Sequence, residues 1–190
     1  IGPTLSIAVI AEIFAVTIAI PLGIVAAVKR GTIIDQFVMS LSLAGMAIPS
    51  FLLALLFVLF FGVKLMWFPV AGYAPLAEGL EQHLRYLMMP AVSLGAVQGA
   101  LIARMTRSSM LEVLNKNYIV MARSKGVSEI AVIFKHALQN AFMPILTVIG
   151  QTFGILVTGG IIIETIFNIP GIGQLIMISI EKRDYTVIQG

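Results

Sequence analysis

Apolar positions in this chain come in long blocks and not at the spacing of amphipathic elements. Residues 4–28 carry one charge, Glu12, while 37–63, 87–103 and 141–163 carry none, and a further apolar run opens at Tyr185. A hydrocarbon core of about 30 Å is crossed by roughly 20 helical residues rising about 1.5 Å each. The blocks are too long and uniform for barrel strands, which would alternate over about 10 residues. In lipid the backbone must satisfy its own N–H and C=O groups, so helices remain. The pattern predicts four helical spans and the start of a fifth.

The polar connections differ in kind. Residues 29–36 read as a tight basic turn. Residues 64–86 contain Pro69, Gly72, Pro75 and Gly79 and read as an irregular loop with a short helix near its end. Residues 104–140 are long, polar and helix-forming. Residues 164–184 contain Asn168-Ile169-Pro170-Gly171-Ile172-Gly173, a turn that breaks any helix crossing it. Alternate connections share a side of the bilayer. One side then holds Lys29, Arg30, Arg104, Arg107, Lys116, Arg123, Lys125 and Lys135, and the other holds Lys64, Arg85, Lys182 and Arg183. Twice the cations on one side is a positive-inside bias, which makes residues 104–140 cytoplasmic. Trp67 and Tyr73 fit an interfacial aromatic anchor at the outer end of the second span.

Composition agrees with a membrane protein. The chain is 59% hydrophobic and 11% charged, with a mean hydropathy of +1.03, against about 25% charged residues in a soluble domain. The net charge of +3 is too small to argue for nucleic acid, and with no cysteine there is no disulfide or thiolate site. The chain begins at Ile1 and stops as a new apolar run opens, so it reads as a fragment of a longer protein.

Inside the spans, Gly95-Ala96-Val97-Gln98-Gly99 and Gly150-Gln151-Thr152-Phe153-Gly154 are small-xxx-small patterns that let helix backbones approach closely, within one subunit or between two. Gln98 and Gln151 read as interhelical hydrogen-bonders, and Pro21 and Pro49 as bends. Glu12 is the one ionisable group deep in a span. It is a candidate pathway or proton-relay residue, or else a satisfied packing carboxyl. No phosphate-binding Gly-rich loop, zinc helix or nucleophile elbow is present. His83 and His136 fall on opposite sides, so the chain reads as non-catalytic.

The segment 104–140 carries the most information. Residues 117–126 read as a short helix, with Asn117 as its N-cap, Arg123 and Lys125 complementing the dipole of the last turn, and Gly126 at the left-handed position that ends it. Tyr118, Met121 and Ala122 share a face. Ser128 caps a second helix in which Ile130, Ile133, Phe134, Ala137 and Leu138 form a stripe. Such a hook could lie on lipid or dock a cytoplasmic protein. Its short first helix, with a small apolar face and a defined end, favours docking.

These residues resemble a known family. Tyr118-x-x-x-Ala122-Arg123-x-Lys125-Gly126-x-Ser128-Glu129, followed by His136-Ala137-Leu138-x-Asn140-Ala141 and Pro144, is similar to the EAA loop of bacterial ABC-importer permeases. The closest likeness is to the dipeptide, oligopeptide, glutathione and nickel branch. Pro21-Leu22-Gly23, Ile48-Pro49-Ser50-Phe51, Arg107-Ser108-Ser109-Met110, Glu164-Thr165-Ile166-Phe167, Pro170-Gly171-Ile172-Gly173 and Arg183-Asp184-Tyr185 extend the likeness over nearly the whole chain. Val120-Met121 departs from the polar pair expected before Ala122.

The resemblance implies an all-α polytopic membrane protein: a MetI-like transmembrane domain over 1–190, with an EAA coupling segment at 104–140. It implies a bacterial inner-membrane location and a second permease subunit forming a heterodimer. It also implies cytoplasmic ATP-binding subunits that hold the ATP, and an extracytoplasmic substrate-binding protein. Tyr118, Ala122, Arg123, Lys125, Gly126, Ser128, Glu129, His136 and Asn140 become the expected coupling residues, and no cofactor or metal is expected in the chain itself. The rival is a proton- or sodium-driven secondary transporter, for which Glu12 is the only candidate group. An intramembrane enzyme lacks any nucleophile–base set. The choice among peptide, glutathione and nickel stays open.

Overall fold

A computed structural model describes residues 1–184 of the chain, which are helical almost throughout and contain no strand. The helices are α1 (Gly2–Val28), α2 (Ile33–Ala47), α3 (Ser50–Phe57), α4 (Leu80–Leu114), α5 (Asn117–Ser124), α6 (Glu129–Ala131), α7 (Gln139–Gly159), α8 (Ile161–Ile166) and α9 (Ile172–Glu181). Wide π-type turns prolong α3 through Val58–Lys64 and join α6 to α7 through Val132–Leu138. Among the described residues, α1, α4 and the run Glu129–Gly159 are each long and apolar enough to cross a membrane. The interrupted pair α2 and α3 makes a fourth crossing if its halves count as one.

Several boundaries differ from those read off the apolar blocks. The third span belongs to a helix of 35 residues, because good helix formers continue past the apolar block at both ends. The basic turn is shorter than 29–36. Gly31 at φ +78° reverses the chain, and α2 restarts at Ile33. The second span is not continuous. Helix α2 stops at Ala47, Pro49 is extended at φ −61°, ψ 137°, and α3 restarts at Ser50. Proline has no N–H to give the ladder and forces the preceding residue away from helical geometry. The fourth span ends at Gly159 rather than 163, where two consecutive glycines weaken the helix. The break expected at Pro170-Gly171 is present, between α8 and α9. The fifth span, expected from Tyr185, lies outside the described residues.

The chain divides into two compact units. The first consists of Ile1–Phe14, Ile48–Val97 and the segment from Thr152 onward. Its core combines Ile7, Ala8 and Ala11 of α1, Ala54 of α3, Leu87, Met89, Ala91 and Leu94 of α4, Leu156 of α7, and Ile163, Phe167 and Ile169. A Cβ on Gly95 would lie 2.5 Å from the Ala11 carbonyl oxygen. The glycine is therefore what lets α4 close on α1.

The second unit consists of Ala15–Ala47 and Gln98–Gln151. Here Ala15, Ala19, Ile102 and Ala103 form one buried cluster. Ile24, Ala27, Met110, Val113, Ile119, Val132, Ala137, Ala141 and Ile145 form another. Gly23 abuts Thr106 and the Ala103 carbonyl, and Gly99 faces Ala15 at 3.5 Å. Small residues at helix contacts are the usual solution where lipid gives no hydrophobic drive to associate. Gly95-x-x-x-Gly99 is used in this way, whereas Gly150 and Gly154 have nothing within 4 Å.

Candidate functional site: a helical elbow

Helix α5 begins at Asn117 itself. The cap position falls on extended Lys116 (φ −76°, ψ 146°), with no side-chain cap bond, so Asn117 is not the N-cap. Its end is as expected. Gly126 has φ +78°. Its N–H donates to the Arg123 carbonyl at 2.9 Å, and the Val127 N–H donates to the Ala122 carbonyl at 3.2 Å. This crossed pair is a Schellman termination, which satisfies carbonyls that a helix end otherwise leaves unpaired. Two residues on, the Ser128 Oγ accepts from the Ala131 N–H at 3.4 Å and caps α6.

A bidentate ion pair spans the elbow. Arg123 Nε and Nη2 donate to the two carboxylate oxygens of Glu129 at 2.9 and 3.2 Å. Arg123, Gly126, Ser128 and Glu129 thus come together as one structure. His136 and Asn140 lie farther along, where Asn140 Nδ2 donates to the His136 carbonyl at 2.6 Å. Lys125 is the C-cap residue of α5 and is exposed. Beside the elbow, Val28, Arg30, Leu111 and Asn115 join the Arg123–Glu129 pair in lining a hollow of about 250 Å³.

The faces are distributed differently from the expected stripes. Ile119, completely buried, anchors α5, while Tyr118, Val120 and Met121 are exposed and Ala122 is half-buried. In the following run Val132, Ala137, Ala141 and Ile145 point inward, and Ile130 and Phe134 are 72% and 55% exposed. The wide turn over Val132–Leu138 explains this. Each π-type turn takes up an extra residue, so the inward positions step by five before resuming a step of four. A single 3.6-residue stripe therefore fails here.

Glu12 belongs to the first unit and is 8% exposed. Thr152 Oγ1 donates to its Oε1 at 3.0 Å, and Oε2 has no partner among the described residues. Gln98 and Gln151 were expected to bridge helices. Gln151 is exposed, Gln98 is half-buried, and neither side chain is hydrogen-bonded among the described residues.

Two carboxylates in the polar connections, Glu164 and Asp35, are buried despite standing beside turns. Glu164 is 1% exposed. It accepts from Thr4 Oγ1 at 2.6 Å and from the Gln174 N–H at 3.1 Å, while the Ile172 N–H donates to Thr4 Oγ1 at 2.9 Å. Glu164 and Thr4 therefore cap α9 from a distance, because Gly171 at its N-cap has no side chain to do so. Asp35 is 3% exposed. It accepts from Arg107 Nε at 2.5 Å and Nη2 at 2.8 Å, and from the Gly31 N–H at 2.9 Å. One signal for Glu164 was available: Pro170-Gly171-Ile172-Gly173 places two residues without side chains where a carboxylate needs room.

The described residues thus combine membrane-length helices with a capped polar elbow, the form of a polytopic membrane protein. The chain matches the family "Binding-protein-dependent transport system inner membrane component" over residues 19–190 and belongs to it. It is similar to the probable peptide ABC transporter permease protein y4tP of Sinorhizobium fredii, at 41% identity over 98% of this chain and 60% of that one. It is also similar to a putative peptide transport system permease protein of Brucella suis, at 46% identity with the same coverage. A third relative is the di/tripeptide transport system permease protein DppB of Pseudomonas aeruginosa, at 41% identity over 98% of this chain and 61% of that one. The chain thus spans about 60% of the length of these relatives.

Proposed function

We propose that this chain is part of a non-catalytic permease subunit of an ATP-driven importer of short peptides in the bacterial inner membrane. The observation that carries the reading is the elbow. The elbow has a Schellman end on α5, an ion-pair staple, and exposed apolar side chains at Tyr118, Val120 and Met121 of α5 and at Ile130 and Phe134 beyond the turn. A rigid, short, partly apolar projection suits a groove in a cytoplasmic ATP-binding subunit. ATP is held by that partner, and its movement enters the permease through the run Glu129–Gly159, which is helical from the elbow into a membrane-length segment. A second permease subunit completes the pathway, and an extracytoplasmic binding protein delivers the substrate. The relatives, peptide permeases by name, favour peptides over nickel. Family membership supports an energy source outside the chain, so the secondary-transporter alternative is not retained.

The test uses the full-length complex, with Cys replacing Ala122 or Ser124. Crosslinks should join the permease to an ATP-binding subunit. Crosslinks to lipid alone would remove the coupling role.

A further inference from the structure

We propose that a groove at the Lys64–Tyr86 connection is a subsite for the C-terminal carboxylate of a short peptide, with Arg85 as its anchoring cation. The proposal rests on the reading of the chain as a peptide permease with this connection on the extracytoplasmic side. The groove has a volume of about 430 Å³ and is lined by Phe68, Pro69 and Val70 of the loop and by Gln82, Arg85 and Tyr86 of α4. Ligand pockets run from about 300 to 1,000 Å³ and combine apolar walls with a few placed polar groups. A volume of this size matches a few residues of peptide.

Three observations show that the groove is built. First, the loop wall is locked in place. The Trp67 N–H donates to the Phe61 carbonyl at 2.9 Å, the Phe61 and Trp67 rings lie 5.9 Å apart, and a Cβ on Gly62 would come within 2.9 Å of Val70. Second, the backbone there takes left-handed geometry. Met66, which also lines the groove, has φ +53°, and Gly72 has φ +114°. A non-glycine residue held at positive φ recurs at ligand clamps. A Cβ on Gly72 would lie 3.1 Å from the Tyr86 ring, so the glycine lets that ring take its place in the wall.

Third, Arg85 declines its obvious partner. Glu81 stands four residues earlier on α4, the spacing at which helical ion pairs form. Arg85 nevertheless makes no ion pair among the described residues and lines the groove beside Gln82 and Tyr86. Lys64, the other cation of this connection, lies 4.9 Å over the Phe60 ring. A guanidinium donates two parallel hydrogen bonds to a carboxylate, and the Gln82 amide can donate a third. The apolar wall of Phe68, Pro69 and Val70 would take the side chain of the last residue.

The test measures equilibrium binding of labelled trialanine and of its C-terminal amide to the full-length permease complex in lipid nanodiscs, without the binding protein. Wild type should prefer the free acid about tenfold or more, and Arg85→Gln should abolish that preference while leaving amide binding unchanged. Arg85→Lys should restore part of it, which keeps the test decisive if the Gln variant assembles poorly. Equal binding of acid and amide by wild type, or an unchanged preference in Arg85→Gln, overturns the subsite. A variant that loses affinity for the binding protein but not for trialanine also overturns it, and assigns Arg85 to a protein side chain. ATP-dependent trialanine uptake by wild type is measured in parallel. Its absence would sink the permease reading, whereas uptake without acid preference sinks only the subsite.

Discussion

Glu164 shows how far a single side chain reaches in this fold. Its carboxylate receives donors from Thr4 and from the first turn of α9, and a Cβ on Gly171 would collide with it. Orphaning a buried donor costs about 1–3 kcal/mol. Glu164→Ala is therefore expected to lower the thermal unfolding temperature of the purified protein in lipid nanodiscs, and Gly171→Ala should do so by a similar amount. Gly126 acts through its backbone alone, because nothing lies within 4 Å of its Cβ position. A side chain in left-handed geometry costs roughly 1–2 kcal/mol, with asparagine among the residues that bear it best. Gly126→Val should reduce co-purification of the ATP-binding subunits, and Gly126→Asn should nearly preserve it. Equal effects of Val and Asn would disprove the conformational role. The Asp35 cluster was not legible in the sequence, and the only trace of the Glu164 cluster was the pair of glycines at Gly171 and Gly173. Asp35 and Glu164 stand beside turns, and only folding brings Arg107 or Thr4 to them.

Among the elements, the α5–α6 elbow was the most legible, because its ends are encoded locally by Gly126 and Ser128. Its staple was not, since Arg123 and Glu129 meet only after the chain turns. Both side chains are about half exposed, and exposed pairs contribute roughly 0.2–1 kcal/mol. The effect on coupling should therefore exceed the effect on stability. Arg123→Glu should uncouple hydrolysis from uptake with little change in unfolding temperature, and Arg123→Glu with Glu129→Arg should recover part of the coupling. No recovery in the swapped pair would mean that Arg123 acts on the partner and not across the elbow. The Asp35–Arg107 pair ties the start of α2 to α4 in a far more buried setting. Replacing one member of such a pair strands the other, whereas replacing both with apolar groups of similar size is much milder. Asp35→Leu or Arg107→Met alone should lower stability, by about 1–3 kcal/mol given the partly exposed guanidinium. The double variant should lose less than either, read from the unfolding midpoint.

At the scale of the whole molecule, alanine and glycine make the closest helix contacts, large side chains such as Phe167, Leu87 and Met110 fill the cores, and many other large apolar side chains are exposed among the described residues. The exposed ones follow from lipid as solvent, which offers long apolar side chains no reason to hide. The proposed coupling role predicts that, in the full-length complex, disrupting the elbow abolishes ATP-dependent uptake while leaving the protein inserted and folded, as read by its yield in the membrane fraction. Loss of insertion instead would place the elbow among folding determinants. The sequence by itself determined the helical class, the membrane-length blocks, the left-handed end of α5 and the family, because each rests on local composition, local backbone preference or an ordered set of short motifs. Pro49 marks the break between α2 and α3 locally, whereas tertiary structure decided which face of the Val132–Leu138 turn points inward and which acids are buried. Those outcomes depend on partners distant in sequence and on a change of helical pitch, and neither is encoded in the residues that display it.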